Sequence, residues 1–287
     1  MKRGISPNKP KIKLAGSGKY LKVKKVVHQH HLHTICESGK CPNLAECWGR
    51  GTATFMILGD ICTRACKFCS VATGKPLPPN ENEPQEIAEA IKLMGLSHAV
   101  ITSVDRDDLP DGGATHWAKT IITIKKLNPD ITIEVLIPDF SFDKKALDIV
   151  LSANPDIISH NLETVKRLTP QIRSKAKYDR SLAVLDYLHK KGATVKSGIM
   201  VGLGETEKEI YEVFDDLLTI GCKIITIGQY LQPTPKNIPV HRYVSEDEFN
   251  KYKKVALEKG FEFVESGALV RSSYHAEKHV GKVDILK

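Results

Sequence analysis

Six apolar, β-branched runs recur along the 287-residue chain, and segments of helical periodicity separate them. The runs occupy residues 54–59, 98–104, 131–137, 156–160, 194–201 and 224–230. Consecutive parallel strands need long crossover connections, usually helices, so serial strand–helix alternation predicts a parallel sheet or barrel. We therefore expect an α/β fold built from six strand–helix units.

The predicted helices carry their own start and stop signals. Pro84 fits the first turn of one helix, and Gly95 fits the position just past its end. Thr206 and Glu209 have the spacing of a capping box at the start of another helix. These signals support the alternation and leave two architectures open, a partial (β/α)6 barrel and a doubly wound sheet.

Three cysteines, Cys62, Cys66 and Cys69, follow the first apolar run directly. Thiolates select zinc, copper(I) or iron–sulfur clusters over hard cations. Three thiolates are one fewer than close a structural zinc site or saturate a cubane cluster. The loop therefore predicts a metal site, which either keeps one coordination position for a substrate or cofactor or receives a fourth ligand from elsewhere.

A second cysteine triplet, Cys36, Cys41 and Cys47, lies upstream of the first. In a chain of this size without a secretory signal, such cysteines are better explained as reduced metal ligands than as a disulfide framework. A zinc ion that staples the loop is the structural alternative. Cys222 is the seventh cysteine and stands alone, which favours a small buried apolar role.

The first triplet, with Phe68 just before its last thiol, resembles the cluster loop of the radical S-adenosylmethionine superfamily. The resemblance implies that Cys62, Cys66 and Cys69 hold a [4Fe-4S] cluster whose fourth iron binds S-adenosylmethionine. An electron from that cluster would cleave the cofactor to a 5′-deoxyadenosyl radical. The implied fold is a partial (β/α)6 TIM-like barrel with N-terminal and C-terminal extensions.

Within that superfamily, the second triplet and the segment Val270-Arg271-Ser272-Ser273-Tyr274-His275-Ala276 resemble the lipoyl synthase family. The resemblance implies a second, auxiliary [4Fe-4S] cluster with a serine oxygen as its fourth ligand. An oxygen ligand binds iron less well than thiolate, so such a cluster can lose iron and surrender sulfide. The implied ligands, which would act directly in the reaction, are Cys36, Cys41, Cys47 and Ser273, with Ser272 as the alternative to Ser273.

The resemblance also implies a reaction and its partners. Two sulfur atoms from the auxiliary cluster would enter C6 and C8 of an octanoyl group on a lysine of a lipoyl carrier protein. That carrier would be the lipoyl domain of a 2-oxoacid dehydrogenase or the glycine cleavage H-protein. Ferredoxin or flavodoxin would supply electrons, and an iron–sulfur carrier would repair the cluster. The alternatives are a methylthiotransferase-like radical enzyme and a zinc-stapled nucleic-acid binder.

Contacts to S-adenosylmethionine are expected where the strands end, because barrel chemistry collects at the carboxyl ends of strands. Asn161-Leu162-Glu163 resembles the Asn-Leu-Asp that binds the ribose in biotin synthase. Thr102 follows the second strand, and Arg173 is the candidate for the methionine carboxylate, with Arg180 as its alternate. Further polar candidates at strand ends or within strands are Ser103, Glu134 and Gln229.

The net charge of +8 is concentrated at the amino terminus. Residues 1–35 contain eight Lys, one Arg and no acid, a charge of +9 that leaves −1 for the rest. This basic arm predicts an acidic protein partner or a solvated tail. Nucleic acid is not expected, because Tyr20 is the arm's only aromatic residue. We interpret its histidines, His28, His30, His31 and His33, as part of a flexible surface segment.

Three segments are expected: a basic extension with the upstream triplet at 1–52, the barrel at 53–266, and a C-terminal extension at 267–287. No apolar run approaches the roughly 18 residues of a membrane span. The amino terminus also lacks the apolar region of a secretory signal. The sequence therefore predicts a soluble cytoplasmic protein without a membrane partner.

Overall fold

The computed structural model describes residues 8–10, 18–30, 32–50, 52–274 and 276. The remaining residues, which include 1–7 and 11–17 of the basic arm, His31 and His275, lie outside the described part.

A seven-stranded parallel sheet forms the centre of the fold, and a two-stranded parallel ribbon lies beside it. The strands are β1 Thr54–Ile57, β2 Ile61–Cys62, β3 Ala72–Thr73, β4 His98–Ser103, β5 Thr132–Leu136, β6 Ile157–Ser159, β7 Val195–Val201, β8 Ile224–Gln229 and β9 Phe263–Gly267. All six predicted strands are present.

Strand order decides between the two predicted architectures. The sheet runs β1-β4-β5-β6-β7-β8-β9, so each strand pairs with the next strand of the sheet in chain order. A doubly wound sheet reverses its order at a switch point. Because this sheet never reverses, it winds in one direction as a partial barrel does. The partial (β/α) barrel is confirmed, and it has a seventh strand, β9, that the sequence analysis did not predict.

Ten α-helices are described, and most of them cover the outside of the sheet. They are α1 Gly18–Gln29, α2 Ile35–Ser38, α3 Leu44–Arg50, α4 Glu83–Met94, α5 Ala114–Leu127, α6 Lys144–Ser152, α7 Thr169–Ile172, α8 Tyr178–Lys190, α9 Glu207–Thr219 and α10 Glu246–Lys259.

The predicted helix ends are confirmed. Pro84 lies in the first turn of α4, and Gly95 ends that helix in the left-handed conformation, with φ of 68°. Thr206 and Glu209 make both hydrogen bonds of a capping box at the start of α9. These local signals set the helix boundaries independently of the tertiary contacts.

The apolar core lies between the sheet and its helices. Ile101 and Ile133 of the sheet, Ile87 of α4 and Trp117 of α5 are all fully or almost fully buried. Cys222 is also fully buried, as predicted for a small apolar side chain. Except for β9, the strands of the seven-stranded sheet are short and mostly buried on both faces, which is typical of parallel sheets covered by helices.

The sequence predicted a flexible surface segment for the histidines of the amino-terminal arm, but His28 lies in a helix. Residues 18–29 form helix α1, which buries Val23, Val26 and Val27 against the body of the protein. The Tyr20 ring lies 5.6 Å from the Trp48 ring of α3, measured between centroids. The sequence did not predict this helix, because only three valines form its apolar face and basic residues surround them.

In the described part of the chain, no helix is both long enough and apolar enough to cross a lipid bilayer.

Candidate active site

A cavity of about 840 Å³ opens where the sheet strands end. Both cysteine triplets contribute to its wall, together with the two neighbouring serines of the C-terminal segment. The lining cysteines and serines are Cys36, Cys41, Cys47, Cys62, Cys66, Cys69, Ser272 and Ser273. The fold therefore brings together side chains that lie more than 200 residues apart in the sequence.

The loop from Cys62 to Cys69 is held by hydrogen bonds from its backbone. The amide of Thr63 donates to the carbonyl of Asp105 at 3.0 Å, and the amide of Lys67 donates to that of Ile172 at 2.9 Å. The Asn237 side chain donates to the Cys69 carbonyl at 2.8 Å. Because these partners come from three separate segments, the loop conformation does not depend on its short neighbouring strands alone.

Arg64 lies inside this loop and anchors it through a buried charge network. Its guanidinium donates a bidentate pair of hydrogen bonds to the Asp107 carboxylate, at 2.8 and 2.7 Å, and donates to Asp139 at 2.8 Å. It also lies 3.1 Å from Asp105. The Arg64 side chain is 3% exposed and Asp139 is fully buried. Three carboxylates after β4 and β5 thus converge on one cation between two cysteines.

The upstream triplet is carried by two short helices and the turn between them. Cys36 lies in α2, whose first residues are capped by the Thr34 hydroxyl, which accepts from the Glu37 amide. Cys41 donates its amide to the Cys36 carbonyl at 3.0 Å. Cys47 lies in α3. The turn therefore directs three thiols of one short segment to the same cavity wall.

The C-terminal segment is fastened to this upstream segment. Asn43, between Cys41 and Cys47, donates to the Leu269 carbonyl at 2.6 Å. The Tyr274 hydroxyl donates to the Glu46 carboxylate at 3.1 Å. These two contacts hold the segment that carries the serines against the loop that carries the cysteines.

The two serines face different neighbours. The Thr54 hydroxyl donates to the Ser273 hydroxyl at 2.9 Å, and a hydrogen bond from the Thr54 backbone reaches the Cys36 thiol. The Asn161 side chain donates to the Ser272 hydroxyl at 2.6 Å. Ser273 therefore lies on the side of the upstream cysteines, and Ser272 lies on the side of the strand-end residues.

Burial changes the acidity of the cysteine thiols. Burial raises the pKa of Cys36 to about 11, and the neighbouring Cys41 adds to the effect. Burial raises the pKa of Cys62 to about 11, and the Asp105 carboxylate adds to it. Burial likewise raises the pKa of Cys47 and of Cys69 to about 12. Because metals bind thiolates, loading these sites must release protons and becomes weaker as the pH falls.

The arrangement of the thiols bears on which metal group they fit. All seven cysteines are free. In the part of the chain that the structure describes, no three His, Cys, Asp or Glu side chains are grouped so that they could hold a metal ion. A structural zinc ion requires four ligands around one atom. The cysteines that bind a four-iron cluster lie farther apart, because each binds a different iron atom. Two cysteine triplets around a large cavity fit iron–sulfur clusters better.

Thr102, Asn161 and Glu163, the predicted cofactor contacts, all line the cavity. The Asn161 Oδ1 atom and the Ser103 hydroxyl are buried and have no hydrogen-bond partner among the described residues. A buried polar atom without a partner costs about 1–3 kcal/mol. A ligand with hydroxyl or amino groups would satisfy both, so this wall fits the ribose and amino groups of S-adenosylmethionine.

Glu163 has an unusual backbone conformation for a non-glycine residue, with φ of 67°. Burial raises the pKa of its carboxyl, while Arg173 and a hydrogen bond from Asn161 oppose that shift. Non-glycine residues in the left-handed region concentrate at functional sites, where the surrounding structure maintains the strain. The conformation directs Glu163 to the cavity wall beside Asn161.

The two predicted arginines do not lie in the cavity wall. Arg173 donates to the carbonyl of Asn161 at 3.2 Å and to the Ser181 hydroxyl at 2.9 Å, so it supports the strand-end loop from behind. Arg180 pairs with Asp139 at 2.7 Å. Both guanidinium groups are occupied by protein partners in this structure.

Two other polar candidates serve the fold instead of the cavity. The Glu134 carboxylate pairs with the Lys196 ammonium at 2.8 Å, with both side chains no more than 1% exposed. The Gln229 amide donates to the carbonyls of Tyr230 and Arg242, both at 3.0 Å, and so pins the loop after β8. The sequence predicted positions in or near strand ends for both residues. It could not show that the charge of Glu134 and the hydrogen bonds of Gln229 are satisfied by other protein groups.

Three site residues were missed by the sequence analysis: Asn43, Thr54 and Arg64. Arg64 had a detectable signal, since a charged residue inside a cysteine loop needs a counter-ion. Asn43 and Thr54 had none, because their roles depend on contacts with residues 269 and 273.

Comparisons with known proteins agree with this geometry. Residues 56–217 match the family model of the radical SAM superfamily. A lipoyl synthase of Bacteroides fragilis is 61% identical over 279 residues, which is 97% of this chain and 97% of the relative. A lipoyl synthase of Bacteroides thetaiotaomicron is 60% identical over 270 residues, 94% of this chain and 96% of the relative.

Among solved structures, methylornithine synthase superposes with a TM-score of 0.55 over 94% of both chains, at 14% sequence identity. A similarity at that identity supports the fold alone.

Proposed function

Because this chain belongs to the lipoyl synthase family of the radical SAM superfamily, we propose that it inserts two sulfur atoms into a protein-bound octanoyl group, at C6 and C8. The carrying observation is that both cysteine triplets and Ser273 line one cavity. A single substrate chain placed there lies next to both sites. Holding the reacting groups close together in this way can lower the activation barrier by up to about 7–11 kcal/mol.

When bound, one [4Fe-4S] cluster with S-adenosylmethionine supplies the 5′-deoxyadenosyl radical, and the auxiliary [4Fe-4S] cluster supplies the sulfur. Cys62, Cys66 and Cys69 are the proposed ligands of the first cluster. Thr102, Asn161 and Glu163 are the proposed contacts of S-adenosylmethionine, supported by their place in the cavity wall and by the unpartnered Oδ1 atom of Asn161. Arg173 is proposed as a support for Asn161 and Glu163, since its own donors bind protein oxygens.

Cys36, Cys41, Cys47 and Ser273 are the proposed ligands of the auxiliary cluster. Thr54 supports the choice of Ser273 over Ser272, because it binds both the Ser273 hydroxyl and the Cys36 thiol. Ser272 instead accepts a hydrogen bond from Asn161, which follows β6. An oxygen ligand makes this the cluster from which iron and sulfide leave more readily.

The rest of the cavity wall suits an octanoyl chain. Apolar side chains that line it include Met56, Val100, Leu136, Ile199, Met200 and Tyr230. Such a lining excludes water and holds an alkyl chain by burial, about 25 cal/mol for each Å² removed from water. Exclusion of water also protects a carbon radical from side reactions.

An acidic lipoyl carrier is the proposed substrate, either a lipoyl domain of a 2-oxoacid dehydrogenase or a glycine cleavage H-protein. Lys19 and Lys22 of α1 are exposed and border the cavity, so they can steer an acidic carrier to its mouth. Removing residues 1–25 would also remove Val23 from the packed core of α1. Charge reversal of Lys19 and Lys22 is therefore the cleaner test of carrier docking.

The proposed division of the chain keeps residues 1–52 and 267–287 as extensions that carry the auxiliary ligands, around a barrel at 53–266. The fastening of Leu269 to Asn43 supports grouping the two extensions as one working unit. We also propose a cytoplasmic location, which would keep the seven free thiols reduced. A ferredoxin or flavodoxin as reductant and an iron–sulfur carrier for repair complete the proposed partners.

The test is an anaerobic assay of reconstituted protein with an octanoylated carrier, S-adenosylmethionine and dithionite. The proposal expects a lipoylated carrier in the mass spectrum, with 5′-deoxyadenosine and methionine as co-products. Protein that binds iron at both triplets yet releases no 5′-deoxyadenosine under this strong reductant contradicts it.

A pair of neighbouring variants tests the auxiliary ligand. Ser273→Cys should keep its iron but lose sulfur insertion, because a fourth thiolate holds the iron that must leave. Ser272→Cys is the matched control, and it should still form lipoyl product. Equal activity in Ser273→Cys and the parent enzyme would refute the role given to the oxygen ligand.

A further inference from the structure

The loop from Cys62 to Cys69 has a second face, which lies outside the cavity. Ala65 and Lys67 of this loop are exposed. The Cys66 thiol lies 3.7 Å from the hydroxyl of exposed Ser174. Cys62 is buried by comparison. Cys66, which also lines the cavity, thus contacts an exposed residue of this outer face.

Three segments meet at this surface. The Lys67 amide donates to Ile172 at 2.9 Å, and the Lys67 carbonyl accepts from the Ile238 amide at 3.0 Å. These three segments carry four exposed lysines, which we call the lysine patch: Lys67, Lys175, Lys177 and Lys236. The adjoining loop adds a shallow depression lined by prolines, among them Pro235 and Pro239.

The positive charge of the lysine patch is mostly uncompensated. Lys175 pairs with Asp107 at 3.2 Å, but that carboxylate is already bound by Arg64. Among the described residues, no carboxylate lies within 4.0 Å of the ammonium groups of Lys67, Lys177 or Lys236. The depression beside these lysines is lined by polar side chains as well as prolines, and a polar, charged surface suits a transient protein partner.

We propose that the lysine patch is the docking surface for a small acidic electron-transfer protein that reduces the cluster held by Cys62, Cys66 and Cys69. The inference rests on the proposed function, because it requires that cluster. In each transfer the donor is oxidised by one electron and the cluster is reduced by one. Uncompensated lysines attract an acidic donor and orient it, and Cys66 contacts exposed Ser174 on this face. The α1 lysines Lys19 and Lys22 border the cavity, whereas none of the patch lysines lines it.

The test compares two double charge reversals of equal net charge. Lys177→Glu/Lys236→Glu alters the lysine patch and leaves the cysteine loop intact. Lys126→Glu/Lys253→Glu is the control, on exposed positions of α5 and α10. Oxidised flavodoxin is titrated into each holoenzyme at low ionic strength, and the titration is repeated at increasing salt. The patch variant should bind flavodoxin about tenfold more weakly and show a flatter salt dependence, whereas the control variant should match the parent.

A second measurement separates donor docking from the chemistry. With reduced flavodoxin as electron source, 5′-deoxyadenosine formation should fall about tenfold in the patch variant, whereas with dithionite both variants should equal the parent. Unchanged flavodoxin affinity in the patch variant overturns the inference. So does a loss of RNA binding with flavodoxin affinity unchanged, which would mark a nucleic-acid surface. Failure of the parent enzyme with dithionite would instead refute the proposed function.

Discussion

Removing the charge of Arg64 should destabilise the protein strongly, since it leaves buried carboxylates without their shared cation. The Arg64 side chain is 3% exposed, and it contacts Asp105, Asp107 and the fully buried Asp139. Breaking a buried ion pair from one side typically costs about 3–5 kcal/mol. We expect a loss of that size for Arg64→Gln. The matched control is Arg167→Gln, whose pair with Glu209 is 53% exposed at the arginine and should therefore cost much less.

The pH dependence of this loss follows from Asp139. Burial alone would raise the pKa of its carboxyl, but the charge of Arg64, the hydrogen bond from Arg64 and further contacts together lower the pKa from 3.8 to about 2. The shift corresponds to about 2 kcal/mol of stability. A carboxyl with a lowered pKa contributes its stability above its unfolded pKa and loses it as the pH falls. The difference in the free energy of unfolding between the parent and Arg64→Gln should therefore be largest above about pH 5 and become smaller towards pH 3.

Urea unfolding of the cluster-free protein, followed by tryptophan fluorescence between pH 7 and pH 3, measures this gap. Iron loading should fall at the Cys62 triplet and not at the Cys36 triplet, because only the former contains Arg64. Two results would refute the reasoning: a cost no larger than that of Arg167→Gln, or a gap that does not change with pH.

Three further predictions concern the barrel and its extensions. Lys196→Met should cost about 3–5 kcal/mol because it strands the buried Glu134, and adding Glu134→Leu should restore most of that loss in urea unfolding. Thr206→Ala removes the capping box of α9 and should lower the free energy of unfolding by about 1 kcal/mol, seen as a lower thermal midpoint. Asn43→Ala removes the bond to the Leu269 carbonyl and should speed amide exchange after residue 269 by about tenfold, an opening easier by about 1.4 kcal/mol. Unchanged exchange there would contradict the fastening of the C-terminal segment.

The sequence predicted most of the barrel because its signals are local. Strand runs and capping residues act within a few positions, so Pro84, Gly95 and Thr206 could be interpreted without any tertiary contact. Strand β9 and helix α1 were not predicted, because their local sequence signals are weak. The residues of β9 are only partly buried at the edge of the sheet, apart from Val264, and the lysines of α1 outnumber its three buried valines.

The candidate site was predictable in its residue types but not in its contacts. The cysteine spacing predicted two metal sites, and both triplets line the cavity. Spacing could not assign Arg173, whose guanidinium is directed by the fold to carbonyl oxygens behind the wall. Nor could it separate Ser272 from Ser273, because adjacent residues differ only in what the rest of the fold puts beside them.

The two cysteine triplets are anchored by different kinds of contact, and that difference suits their proposed roles. The Cys62 loop is tied to the barrel by buried charges and by backbone bonds from three segments. The proposed auxiliary ligands belong to short helices and to a C-terminal segment held by a few side-chain hydrogen bonds, notably from Asn43 and Thr54. Segments with few buried contacts open locally at low cost. A cluster that gives up sulfur must be rebuilt, and rebuilding is easier where its ligands can open without unfolding the barrel that holds the radical source.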